Sequence, residues 1–280
     1  TVPTVFDTEI VAPGDDGSEH SVPAKEGYVF AGWDPYPGTM DQANDMYFEA
    51  MWTEAINTLT YVVDGGVYEQ FTGKDGIAFG MDLEVPADPD KEGYTFLGWA
   101  ETADATEAIE LPAKMPAVNK TYYAVFAINT YNVTFNTADG AFADDSTELT
   151  VPYEFNADVK KPEVPTKTGY TFSAWVDDAT GIKYDAETAF PKMIAEDVSY
   201  TAEYTINSYK ATFISEGTTV EEKSYNYGAQ VNKPATDPSK TGYTFKGWKA
   251  ADGTVYGAEQ ALPAMSTANV TYTAYFEINS

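Results

Sequence analysis

Four tryptophans, Trp33, Trp99, Trp175 and Trp248, each close a near copy of one phrase, and their type and spacing suit recognition chemistry. An indole face stacks on sugars and anchors protein interfaces when it is exposed, and fills a core when it is not. The phrase runs from Pro23 to Trp33 as Pro-Ala-Lys-Glu-Gly-Tyr-Val-Phe-Ala-Gly-Trp and returns at Pro89 to Trp99, Pro165 to Trp175 and Pro238 to Trp248. Strict period-two alternation sets these tryptophans on the face of Ala31, Leu97, Ser173 and Lys246, a position that accepts lysine and so meets water. The glycine before the tryptophan allows the opposite outcome, because a bulge there turns the ring back into the core. In the third copy that glycine is Ala174. Recurrence in every copy favours the core reading, and the four indoles are also the candidate ligand platform.

Other reactive groupings are thin. Asp15-Asp16, Asp144-Asp145 and Asp177-Asp178 pair carboxylates, but none follows the Asp-x-Asp-x-Asp-Gly calcium loop with its distal Glu, and they fall where turns favour aspartate. His20 is the single histidine, so a Ser/His/Asp arrangement exists at most once, and no Gly-x-Ser-x-Gly is present. Lys210 and Lys233 lie near acids and asparagines in sequence, the ingredients of an intramolecular amide crosslink, although surface lysines are the ordinary reading. The sequence therefore predicts no catalytic residue, no metal ligand and no cofactor.

The elements that must position these residues are strands. Tyr131-Val133-Phe135 and Tyr209-Ala211-Phe213 alternate with polar neighbours, and Leu59-Tyr61-Val63 keeps the same phase. Asp64-Gly65, Asp139-Gly140 and Glu216-Gly217 follow as hairpin turns. An aromatic residue then precedes Gly80, Asn156 or Gly228, an exchange that marks a left-handed backbone position. The Tyr-Thr-Phe-x-Gly-Trp strand comes next, entered through Gly27, Gly93, Gly169 or Gly242. Met115, Met193 and Met265 sit in Pro-containing connections as apolar anchors. The closing strand repeats aromatic, alanine, aromatic: Tyr122-Ala124-Phe126, Tyr200-Ala202-Tyr204, Tyr272-Ala274-Phe276 and Phe48-Ala50-Trp52. No long stretch has helical spacing with both caps, and short helical turns are expected only near 100–109 and 186–189.

Successive motif tyrosines lie 94 − 28 = 66, 170 − 94 = 76 and 243 − 170 = 73 residues apart, long enough for each copy to be a small domain. The boundary phrases Ile56-Asn57, Ile128-Asn129 and Ile206-Asn207 set units at 1–56, which is truncated or divergent, 57–128, 129–206 and 207–280. The opening on Thr1 and the stop at Ile278-Asn279-Ser280, the phrase that begins a unit, read as a piece of a longer array.

Composition narrows the partners. Among 280 residues there are 16 lysines, no arginine and 44 acids, for a net charge of −28 that repels nucleic acid and anionic lipid. No cysteine is present, so thiolate chemistry and disulfides are excluded. No apolar stretch approaches the length of a membrane span.

These features together resemble the Listeria-Bacteroides repeat, also called the internalin-type B-repeat. The resemblance rests on the Asp-Gly strand, the aromatic-Gly segment, Pro-x-x-Pro, Lys-x-Gly-Tyr-Thr-Phe-x-Gly-Trp and the closing Thr-Tyr-x-Ala-aromatic strand. It covers three complete units and most of a fourth. The chain departs from the pattern at Ala174 and at His20, which takes the place of the proline seen at Pro86 and Pro162. The resemblance implies a mostly β, β-grasp-like module with small α content, repeated in an elongated tandem array. It also implies a secreted, cell-surface or cell-wall-attached bacterial protein, often Gram-positive, with no catalytic residues to carry over. The expected function is a monomeric, non-enzymatic stalk presenting a distal domain. The alternative is an adhesin that binds a host or bacterial surface glycoprotein or glycan through exposed aromatics or a sheet edge.

Overall fold

The structure, a computed structural model, describes residues 22–35 and 47–279. His20 and Asp15-Asp16 lie outside the described residues. The chain divides into two compact units, 1–129 and 130–280, and each contains two copies of the motif.

In the first unit, β1 (Tyr28–Asp34) pairs antiparallel with β2 (Glu49–Glu54). The two-residue strand β3 (Ile56–Asn57) follows, then β4 (Leu59–Val63) and β5 (Gly66–Phe71) joined by a tight turn. Asp64 and Gly65 take φ of 48° and 79°, and Val63 pairs with Gly66, the two-residue turn whose twist matches a hairpin. A 3-10 turn at Gly73–Asp75 leads to β6 (Ile77–Ala78), which pairs with β3. Then come β7 (Tyr94–Ala100) and β8 (Lys120–Ile128). The strand order is β5-β4-β8-β7, with β4 and β8 side by side and parallel.

The second unit repeats this plan twice. The third copy uses β9 (Thr130–Asn136), β10 (Glu148–Glu154), β11 (Tyr170–Asp177), β12 (Lys183–Tyr184) and β13 (Val198–Ile206), in the order β10-β9-β13-β11-β12. The fourth uses β14 (Ser208–Ser215), β15 (Thr218–Asn226), β16 (Tyr243–Lys249), β17 (Val255–Tyr256) and β18 (Val270–Ile278), in the order β15-β14-β18-β16-β17. Each of the four- and five-stranded sheets is mixed, with its first and last long strands parallel at the centre. This is the mostly β, grasp-like module that the resemblance implies.

The short helical turns expected near 100–109 and 186–189 are bends and turns. At the second site Asp185 accepts the N–H groups of Glu187 and Thr188 at 3.0 and 2.9 Å, as a helix N-cap would, but Pro191 follows too soon for a helix to continue. The left-handed positions are present, with φ of 75° at Gly80, 63° at Asn156 and 78° at Gly228. Beside each, the connection is tied down by its methionine. Asn156 N–H donates to the Met193 carbonyl at 2.8 Å while Met193 N–H donates to Ala157, and the Gly228–Met265–Ala229 set matches it. The side chains of Met115, Met193 and Met265 are buried.

Candidate functional site

The motif tryptophans are placed by a register shift. In β7, Phe96 pairs with Phe126 and Gly98 with the next residue, Val125, so Leu97 is an extra residue on its strand. The same shift occurs at Phe30/Gly32, Phe172/Ala174 and Phe245/Gly247. Residues three apart on a regular strand point to opposite faces, and one inserted residue brings the third back to the first face. Trp99 therefore packs on Phe96 at 5.3 Å between ring centroids, Trp175 on Phe172 at 5.4 Å and Trp248 on Phe245 at 5.5 Å.

Directly across the strand pair from each indole is alanine: Trp33 faces Ala50, Trp99 faces Ala124, Trp175 faces Ala202 and Trp248 faces Ala274. The small residue leaves the volume that the indole fills. Trp99, Trp175 and Trp248 are 4, 2 and 0% exposed and belong to the cores of their modules. A ligand would have to open those cores to stack on them. Trp33 is half-buried against Phe30, at 5.4 Å. The indole N–H groups of Trp33, Trp99 and Trp248 are buried without a conventional acceptor. Close aromatic neighbours include Tyr61 for Trp99 at 4.6 Å and Phe213 for Trp248 at 4.9 Å.

The motif lysine and tyrosine, which the sequence reading did not single out, form a second recurrent cluster. The ammonium groups of Lys91, Lys167 and Lys240 sit 4.4, 5.0 and 4.6 Å from the ring centres of Tyr94, Tyr170 and Tyr243. Each also reaches an acid in its own module's first hairpin: Asp64 at 2.6 Å, Asp139 at 3.7 Å and Glu216 at 3.0 Å. A cation between a π face and a carboxylate is a fastening for the turn. Its signal was the recurrence of lysine two residues before the glycine.

The acid pairs are spent locally. Asp144 accepts the Ser146 hydroxyl at 2.6 Å and its N–H at 3.0 Å, and these bonds lower its pKa. Asp177 takes the N–H groups of Ala179 and Thr180, and Asp178 accepts the Ser199 hydroxyl at 2.6 Å. Among the described residues no group of three or more His, Cys, Asp or Glu side chains is arranged to hold a metal ion. Lys210 pairs with Glu222 at 2.6 Å, and the Lys233 ammonium donates to the carbonyls of Gly257 and Ala258. Lys161 does the same at Asp185 and Ala186, so these two lysines fasten a loop.

The core tyrosines are the most perturbed acids. Burial pushes the Tyr200 phenol up to about 12, with Tyr184 and Asp177 adding to it. Tyr61, Tyr122 and Tyr272 are raised chiefly by burial as well. A phenol held neutral in this way is a packing group at neutral pH.

No helix among the described residues is long and apolar enough to cross a membrane. The sequence model of a family described as the Listeria-Bacteroides repeat domain matches residues 58–125, 131–203 and 209–274. The chain is similar to Internalin H of Listeria monocytogenes, 39% identical over 139 residues, which cover 49% of this chain and 25% of that protein. It is also 30% identical over 205 residues to a protein of Evansella cellulosilytica named "Putative membrane protein", covering 72% of this chain and 29% of the other. The matched segment thus spans less than a third of each of these relatives.

Proposed function

Because the chain belongs to the Listeria-Bacteroides repeat family, we propose that it serves as a non-enzymatic stalk segment of a bacterial surface protein, holding a distal domain away from the cell. The units 57–128, 129–206 and 207–280, with a truncated or divergent one at 1–56, are its proposed modules. The supporting observation is where the recurrent residues go. The motif tryptophans close the module cores, the methionines pin the connections, and the lysines fasten turns. In the second, third and fourth modules the recurrent residues are what builds the module, as expected of a spacer whose repeats are interchangeable. The −28 charge suits an extracellular spacer, since like charges keep neighbouring copies apart.

A binding screen tests this reading. The folded chain is presented to host matrix proteins, mucins and glycans at low and high salt, and the stalk reading expects no saturable, salt-resistant binding. One such hit would replace it with the adhesin.

One observation favours that second reading for the second module alone. Leu97 and Ile109 are 48 and 44% exposed. At the register of Leu97, the third module carries Ser173, hydrogen-bonded to Glu203, and the fourth carries Lys246, paired with Glu277 at 3.3 Å. An exposed leucine where the third and fourth modules are polar and the first has only alanine is an available contact. If the screen finds a ligand, Leu97→Ser should abolish its binding and leave folding intact.

A further inference from the structure

The glycine of Lys-x-Gly-Tyr does more than turn the chain. Within the first unit the Phe79 ring lies on Gly27, where an added Cβ would fall inside the ring. Within the second unit the Tyr227 ring lies on Gly169 in the same way. In both cases the ring belongs to the following module, from the segment just before the left-handed Gly80 or Gly228. The ring also meets the motif tyrosine edge-on: Tyr28 with Phe79 at 5.8 Å and Tyr170 with Tyr227 at 6.3 Å.

The backbone around each contact is hydrogen-bonded across the boundary between modules. Ala55 N–H donates to the Gly27 carbonyl and Phe79 N–H donates to the Ala55 carbonyl, both at 2.9 Å. Asn207 N–H donates to the Gly169 carbonyl and Tyr227 N–H to the Asn207 carbonyl, again at 2.9 Å. In the second unit the Thr171 hydroxyl also holds the Asn207 side chain at 2.7 Å. The linking residues are thus bonded on one side to the module they leave and on the other to the module they enter.

We propose that the motif glycine is a docking socket for the aromatic ring of the next module, and that it couples neighbouring repeats so that they open together. The socket takes Phe or Tyr because a flat ring covers the bare Cα and presents its face to the edge of the motif tyrosine. A side chain on the glycine would occupy the ring's place. The coupling holds whatever the array presents or binds, so a positive binding screen leaves it untouched.

Gly242 supplies the control. It has the same φ as Gly169, 81°, and the same clamp, with Asn279 N–H on its carbonyl at 2.9 Å and the Thr244 hydroxyl on Asn279 at 2.6 Å. Among the described residues nothing lies within 4 Å of a Cβ built there. Alanine at 169 or at 242 therefore carries the same backbone strain, and only at 169 does it meet a ring.

The test is amide hydrogen exchange on the full chain, compared for wild type, Gly169→Ala, Gly242→Ala and Tyr227→Ala. Gly169→Ala should speed exchange about tenfold on both sides of the joint, in β14 and β15 as well as β11, the size expected from losing one ring contact and its hydrogen bonds. Gly242→Ala should act only around its own turn. Tyr227→Ala, which leaves every glycine in place, should speed exchange across the joint at Asn207 and in β11. The proposal is overturned if Gly169→Ala stays confined to the third module as Gly242→Ala does to the fourth. Should Gly169→Ala fail to fold, an unchanged β11 in Tyr227→Ala overturns it equally.

Discussion

The third and fourth modules share a plan and differ at the residue that follows the inserted one. In the fourth, Gly247 has φ of 144° and an added Cβ would strike the Tyr256 carbonyl of β17. In the third, Ala174 occupies the same register, is buried, and adopts no positive φ. Both modules still place the indole across from alanine, with β12 or β17 alongside at Tyr184 or Tyr256. The inserted residue, not the glycine, turns the tryptophan inward. Glycine at 247 is set by its positive φ and by the Tyr256 carbonyl beside it, neither of which holds at Ala174.

The first hairpins differ too. Glu216-Gly217 closes the fourth module's hairpin in one tight turn, whereas residues 137–147 form a longer excursion in the third. There the turn falls on Ala138 and Asp139, with φ of 48° and 67°, and not on Asp139-Gly140 as read from the sequence. Buried Thr137 gives its hydroxyl hydrogen to the Gly140 carbonyl at 2.7 Å. The excursion sends Phe142 into the core, stacked on Trp175 at 6.2 Å with 26° between planes. The third module thus covers its tryptophan with a ring that the fourth lacks at the corresponding turn.

The largest test of this comparison removes the shared element. Trp175→Ala and Trp248→Ala should each cost about 3–5 kcal/mol, read as a fall in the denaturant midpoint of the unit that holds both modules. A small loss at Trp175 alone would mean that Phe142 and not the indole holds the third core.

Next in size is the alkaline limit of the third module. Tyr200 ionises near pH 10 when unfolded and near 12 when folded, so its burial stabilises fully below pH 10 and that contribution fades as pH rises from 10 through 12. The loss is about 2–3 kcal/mol, followed as phenolate absorbance with the unfolding midpoint. Tyr200→Phe should flatten the decline over that interval, and an unchanged decline would assign it elsewhere.

Gly247→Ala should cost about 1–3 kcal/mol, because the methyl meets a carbonyl and the φ is unsuited to alanine. The smallest effect is the reverse exchange, Ala174→Gly, at about 0.5–1 kcal/mol from added freedom in the unfolded chain. If thermal unfolding of these two variants showed the opposite order, neighbour contact at Gly247 would not be what separates the modules.

Much of the module was legible because its signals are local. Alternation marked the strands, Asp64-Gly65 and Glu216-Gly217 marked turns, and the Gly80/Asn156/Gly228 exchange marked the left-handed position. The face of the tryptophans was legible in part: alternation alone assigns them with Leu97 to water, recurrence and the glycine before each favoured a bulge that turns them inward, and the inserted residue does so even at Ala174 where the glycine is missing. The parallel pairing of first and last strands was out of reach, since no local pattern encodes a contact such as Val133 to Val198. Phe79 and Tyr227 were visible only as neighbours of a special glycine, because the surface each covers lies in the preceding module.

The parallel pair at the centre of each four- or five-stranded sheet has a consequence for force. A module whose first strand enters and whose last strand leaves in the same direction is pulled at opposite ends of two adjacent strands. In the fourth module tension on Ser208 and Ile278 slides β14 against β18, loading the bonds between Ala211–Ile214 and Val270–Thr273 together and not one after another. Resistance to shear is set by the slowest cooperative rupture of that patch, so a tethered module of this design would yield late and all at once.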